Sequence, residues 1–225
     1  MTNPGVLIEI LKDAIKDKVQ IDHPKVLDYF EVTFSGSFGI HAVSPRGLLS
    51  NFLDWLVSVE GIVTKCTAVR PKLVTSKHFC EHNSKFISRE YRDVTTLTGL
   101  PTSTIIPTRD EAGNILTTEY GLCEYLDYQI ITVQEMPENA PSGQLPRSVE
   151  VILDRNLVDN CKPGDRVKVV GIYKIVPTRS GLGSGGIFRT ILVAKDIQQL
   201  AKEVFIPSLS REDLTKIKNL PKKYE

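Results

Sequence analysis

The sequence predicts a mainly β chain with a helical N-terminus, and three observations carry that prediction. Three runs between Leu145 and Leu200 alternate apolar with polar residues, as half-buried strands do: Val149, Val151 and Leu153; Val167, Val169, Tyr173 and Ile175; Ile191 and Val193. Two further runs of the same period lie upstream, V-S-V-E-G-I-V-T-K-C-T-A-V-R-P-K-L-V from Val57 and Y-Q-I-I-T-V-Q-E from Tyr128. Before Leu56 the apolar residues recur at helical spacing instead. Five strands, with a bend in the first, fit a small closed barrel of the OB type better than a sandwich.

Taken in order, residues 1–55 read as a helical subdomain. Asn3-Pro4 supplies an N-cap and a first-turn proline for a helix to about Lys18, with Leu7, Leu11, Ala14 and Ile15 on one face. Asp22-His23-Pro24 opens a second helix with Leu27 and Phe30 inward, and Ser44-Pro45 opens a third carrying Leu48, Leu49, Phe52 and Leu53. Residues 56–75 and 127–200 supply the barrel, with Gly61 as the bulge or bend of its first strand. Residues 76–126 are then an insertion, in which Glu111-Ala112-Gly113-Asn114 marks a hairpin turn. Cys161-Lys162-Pro163-Gly164-Asp165 turns the chain into the second C-terminal strand, because Pro presets φ and Gly accepts a positive one. Residues 201–225 carry an N-capped amphipathic pattern (Ser210, Asp213, Leu214, Ile217, Leu220) and read as a connector leading out of the domain.

The 225 residues, 41% of them hydrophobic, can bury a real core. No apolar run approaches a membrane-spanning length and no signal peptide is recognisable, so an intracellular protein is expected. Cysteines 66, 80, 123 and 161 show no paired spacing, which makes reduced thiols the default. Charge is polarised along the chain. Between Lys162 and Lys195 seven Lys or Arg face one acid, Asp165, so this stretch is +6 in a chain whose total is +1. Such a stretch suits a polyanion site, and equally an edge hairpin whose lysines discourage strand pairing.

Gly181, Gly183 and Gly186 formally match G-x-G-x-x-G, but the β-branched Ile187–Val193 that follows is no helix N-terminus, and no G-x-x-x-x-G-K-[ST] occurs. Cys80 and Cys123 flank the insertion, with His78 and His82 beside the first. Structural zinc is usually held by two close ligand pairs, and the second side offers Cys123 alone. The insertion is therefore expected to fold without zinc, on ladder bonds and on Phe79, Phe86, Ile105 and Ile106; the four named Cys and His are the candidate ligands should metal be found. No histidine stands in a triad-like arrangement.

Particular blocks carry a resemblance: V-E-G-I-V-T-K-C at 59–66 with V-R-P-K at 69–72, T-E-Y-G at 118–121, I-T-V-Q-E-M-P-E at 131–138, G-Q-L-P-R-S-V at 143–149, V-I-L-D at 151–154, and L-V-D-N-C-K-P-G-D-R-V at 157–167. With them the chain resembles the N-terminal domain of minichromosome maintenance (MCM) helicase subunits, most closely the third subunit of the eukaryotic heterohexamer. The match runs from Gly36 to Lys218.

The resemblance implies a helical subdomain, an OB barrel with a hairpin at 172–191 projecting into a ring channel, an inserted zinc-finger-like hairpin, and a loop at 136–146 that signals to an AAA+ motor. ATP and Mg belong to that motor; this chain is expected to be non-enzymatic and free of cofactors. Implied partners are DNA without sequence preference, other MCM subunits and helicase-loading factors, in the nucleus. Lys174, Arg179 and Arg189 are expected to face DNA, with Lys168 and Arg147 nearer the barrel. The sequence departs from its relatives at Thr132, where many carry an arginine that holds single-stranded DNA, and in having only two of the four finger cysteines. The competing reading is a protein–protein platform for neighbouring subunits and loaders.

Overall fold

The computed structural model describes residues 4–22, 30–93, 95–96, 102, 105–110, 112–176 and 188–200. One helix, α1 (Pro4–Asp22), precedes nine strands: β1 (Ala42–Val43), β2 (Leu56–Cys66), β3 (Arg70–Cys80), β4 (Lys85–Glu90), β5 (Leu116–Thr118), β6 (Glu124–Gln134), β7 (Ser148–Asp154), β8 (Arg166–Val176) and β9 (Arg189–Gln199) among the described residues. Five of them, in the order β2-β8-β9-β7-β6, pair in a cycle that returns from β6 to β2. All neighbours in the cycle are antiparallel except β7 and β9, which run parallel through Val151↔Leu192 and Ile152↔Val193.

The alternation read from the sequence explains the interior. Val57, Val59, Val63, Ile131, Val133, Val151, Leu153, Val167, Val169, Tyr173, Leu192 and Ala194 form one buried cluster, and Leu48, Phe52 and Leu53 close against it. Each Val, Leu or Ile among them contributes about 1.5–3 kcal/mol when removed from water. The turn before β8 forms as expected: Gly164 takes φ +94°, and Asp165 Oδ2 accepts from Lys162 N at 2.9 Å. Ile175, although still paired with Thr190 of β9, does not join the core and is exposed.

The first predicted strand is in fact two. Thr67, Ala68 and Val69 break it; β2 and β3 run in the same direction along β6, β2 within the closed sheet and β3 beyond it. The bulge of β2 lies between Val63 and Lys65, not at Gly61. Gly61 serves a different need: a Cβ there would sit closer than 3.0 Å to the Gln134 carbonyl and to Val133, and Gly171 is crowded in the same way by the Val193 carbonyl.

The helical region also differs from expectation. α1 extends to Asp22, and its buried contact is Ile8, which meets Ile172 on the outside of β8 together with Phe34 and Leu56; Leu7, Leu11 and Ile15 are exposed. The second predicted helix falls largely outside the described residues, as does the C-terminal connector 201–225. No third helix forms. Pro45–Gly47 and Ser50–Phe52 are separate 3-10 turns, with Ser44 capping the first by accepting from Gly47 N at 3.3 Å. Leu48 and Leu49 between them are extended, which lets Leu48, Phe52 and Leu53 each reach the core.

In the inserted hairpin, β3 pairs with β4 on one side and β5 on the other. The predicted turn is present at Ala112–Asn114, with Gly113 at φ +84°, while Glu111 lies outside the described residues. Phe79 and Phe86 meet at a tilt with ring centroids 5.1 Å apart, but Phe86, Ile105 and Ile106 are exposed; the buried residues described here are Ser76, His78, Cys80, Thr95 and Leu116. His78 Nε2 lies 2.7 Å from Ser76 Oγ and Nδ1 lies 3.0 Å from Thr118 Oγ1.

Two outcomes follow from this packing. Gly171→Ala forces the β8–β9 pairing apart and is expected to lower unfolding free energy by about 1–3 kcal/mol, read by urea denaturation, whereas Gly121→Ala, in open space, changes it little. Burial, and secondarily Arg89, lowers the pKa of His78 below 6.5. The unfolded chain therefore binds the proton first, so stability is full above about pH 6.5 and declines as pH falls from there through the lower folded value. A stability series from pH 7.5 to 5 should show this slope in the parent and a flatter one in His78→Gln; equal slopes would contradict it.

Candidate nucleic-acid interface

Four of the five expected DNA-facing cations are described, and the sheet distributes them over different surroundings. Lys168 and Lys174 share the outer face of β8 with Ile172. Lys168 Nζ donates to Gly36 O at 3.2 Å and lies 3.8 Å from Glu60 on the neighbouring β2. Lys174 Nζ donates to Thr96 O at 3.2 Å in the inserted segment and is half-buried. That burial, with Lys195 near by, lowers its pKa against the opposing pull of Asp54 and Asp93. Arg189, opening β9, forms an ion pair across the sheet with Glu150 of β7. Arg147, just before β7, is exposed and makes no ion pair among the described residues. Arg179 and the glycines at 181–186 lie outside the described residues.

The +6 stretch of sequence is therefore not a +6 surface. Glu60, Glu138 and Glu150, all from other parts of the chain, come up against Lys168, Arg166 and Arg189. Each of these partly exposed pairs contributes little to stability. Their effect is on the field, which they divide into local patches. Phe188 stands exposed beside Arg189 at the root of the 172–191 hairpin, and the sequence analysis did not name it among the candidate residues.

One constellation had no signal in the sequence. Arg46, on the first 3-10 turn, donates from Nε to Glu135 Oε2 at 3.1 Å, from an Nη to Gln144 Oε1 at 2.5 Å, and from its other Nη to Leu145 O at 3.0 Å. Glu135 is buried, with its side chain 2% exposed. It also exchanges backbone contacts with Arg147, whose carbonyl accepts from Glu135 N at 2.8 Å. One arginine thus holds both ends of the 136–146 loop, and Leu145 stands at its far side 89% exposed.

The candidate metal ligands are not brought together. Both ring nitrogens of His78 are engaged by hydroxyls, Cys80 is buried beside it, His82 sits exposed in the turn between β3 and β4, and Cys123 Sγ lies 3.2 Å from Glu119 O. Among the described residues no group of three or more His, Cys, Asp or Glu is placed to hold a metal ion. All four cysteines are free thiols, and burial together with the adjacent Cys66 pushes the Cys161 thiol up to about 12.

Comparison with known proteins places this architecture. The MCM OB domain family matches residues 43–177. The chain is 50% identical over 223 residues to DNA replication licensing factor MCM3 homolog 1 of Zea mays, covering 98% of this chain and 29% of that protein. It is 51% identical over 214 residues to the zygotic DNA replication licensing factor mcm3 of Xenopus laevis, with 94% and 26% covered, and 50% identical over 212 residues to MCM3 of Gallus gallus. It spans less than a third of the length of these relatives. On the closed five-stranded sheet and on these identities, the chain belongs to the minichromosome maintenance family and carries its OB domain.

Proposed function

We propose that the chain is the N-terminal, DNA-contacting and ring-assembling part of a replicative helicase subunit. The closed sheet serves as an OB barrel, and the hairpin at 172–191 reaches DNA in the ring channel. The observation that supports this best is the placement of Arg189 and the exposed Arg147 at the ends of adjoining strands, at the root of that hairpin. Phosphates are the natural targets of such side chains, which bind them without reading sequence. ATP hydrolysis is assigned to a motor beyond these residues, since no phosphate-binding loop occurs within them. The relatives are named as DNA replication licensing factors, which supports nuclear action with other MCM subunits and loaders.

A second reading has its own support. Lys168 and Lys174 are already held by Gly36 and Thr96, and Arg46 holds a loop with an exposed leucine, as suits a platform for neighbouring proteins.

Salt dependence separates the two. Under the first reading the chain binds unrelated sequences alike, and log K falls linearly with log salt; Arg147→Ala with Arg179→Ala should lower the slope by roughly 1.4–1.8, about 0.7–0.9 per lost phosphate contact. An unchanged slope leaves the platform reading. For the loop, Arg46→Ala strands the buried Glu135 carboxylate and is expected to cost about 3 kcal/mol, with faster amide exchange at Gly143, Gln144, Leu145 and Arg147. Glu135→Gln added to Arg46→Ala should recover much of that loss, and a double variant no more stable than Arg46→Ala would show that the ion pair is not its source.

A further inference from the structure

The two-residue period of β9 runs on past its first residue. Leu192 and Ala194 point into the core; Thr190 and then Phe188 continue the same side toward the open end of the closed sheet. Phe188 is 55% exposed there. A cavity of about 390 Å³ lies against it, lined also by Pro45, Leu48, Tyr173, Glu150 and Arg189.

We propose that this cup takes one unstacked base of a single-stranded nucleic acid, stacked on the Phe188 ring, with a flanking phosphate on Arg189. The proposal rests on the nucleic-acid reading above and adds to it a base-binding subsite with a strand preference. Three features carry it. A large exposed aromatic ring next to an arginine combines a stacking platform with a backbone contact, the pairing by which single strands are held without sequence preference. The volume stands at the lower end of small-molecule sites, about 300–1,000 Å³, so it suits one planar ring, and a base within a duplex has both faces covered already. The charge also fits. Glu150 is satisfied by Arg189 in the free chain, while Arg147, one residue before the lining residue Ser148, is exposed and has no ion pair among the described residues, so an uncompensated cation stands next to the cavity lining in sequence.

The Glu150–Arg189 pair gives the proposal a second handle. A phosphate must compete with the Glu150 carboxylate for the guanidinium, so Glu150→Gln removes the competitor and should tighten single-strand binding. A pocket for an aromatic side chain of a neighbouring protein would show no such response to oligonucleotide.

The test is anisotropy titration of the 225-residue chain with a labelled single strand, a duplex of the same length, and an abasic strand of the same length, at low salt. Phe188→Ala should weaken binding of the intact single strand about 5- to 150-fold, the range for one lost base stack, and leave duplex and abasic binding unchanged. Phe188→Tyr should keep the parent affinity, whereas Phe188→Leu, which retains apolar area without a ring face, should not. Urea denaturation of Phe188→Ala is expected to match the parent because the ring is exposed. If Phe188→Ala binds the intact strand as tightly as the parent, or weakens all three nucleic acids equally, the base subsite is wrong while phosphate binding stands. Failure of the parent to bind any of the three at any salt concentration overturns the nucleic-acid reading itself, and the subsite with it.

Discussion

Closing five strands into one cycle is the constraint on which the rest of this structure depends. A cycle so small brings backbones together across its interior and seams, and at Gly61 and Gly171 a single methyl group would collide with the carbonyl of a neighbouring strand. The β2 bulge beyond Val63 and the β9 register shift opposite Val170 and Gly171 provide the local twist that closure demands. Once closed, the cycle removes its own edges, so functional side chains can only be carried at its ends, on its outer face, or on segments that leave it.

The outer face is consequently crowded rather than bare. β8 carries Ile172 outward under Ile8 of α1, and its two outward lysines find the carbonyls of Gly36 and Thr96. A lysine whose pKa is lowered by burial, as Lys174 is, has already lost part of the hydration that makes an ammonium an efficient phosphate collector. The ends of the strands face fewer such competitors. Arg147 and Phe188 are both exposed there, and among the described residues Arg189 pairs with the one carboxylate of Glu150.

How much of this was legible in the sequence depended on the range of the interaction. The strands were readable because period two is a local property of a half-buried backbone, and the turns at Gly113 and Gly164 because a positive φ is written in the residue that adopts it. The third helix was misread since apolar spacing alone cannot distinguish a helical stripe from three separate anchors; Pro45 and Gly47 in fact limit the first turn, and extended Leu48 carries its side chain to the core. The split of the first strand depended on a partner, β6, more than fifty residues away. Charge was the least legible. Summation along 162–195 counts only neighbours in sequence, whereas Glu60, Glu138 and Glu150 arrive through the fold.

The short turn at Ser44–Leu48 shows why such long-range placement matters for function. Pro45 and Leu48 line the cup beside Phe188, and between them Arg46, which does not line it, bonds Glu135, Gln144 and Leu145. One 3-10 turn therefore supports both the root of the 172–191 hairpin and the 136–146 loop. A rigid-body shift of this turn toward either loads the other, because Arg46 is tied to a buried carboxylate and Leu48 is packed against the core. Any displacement of the cup wall is thus opposed by a charged hydrogen-bond network rather than by loose packing, and such networks switch between discrete arrangements more readily than they stretch. Two surfaces that look independent in sequence, ninety residues from the turn and more, are joined by five consecutive residues.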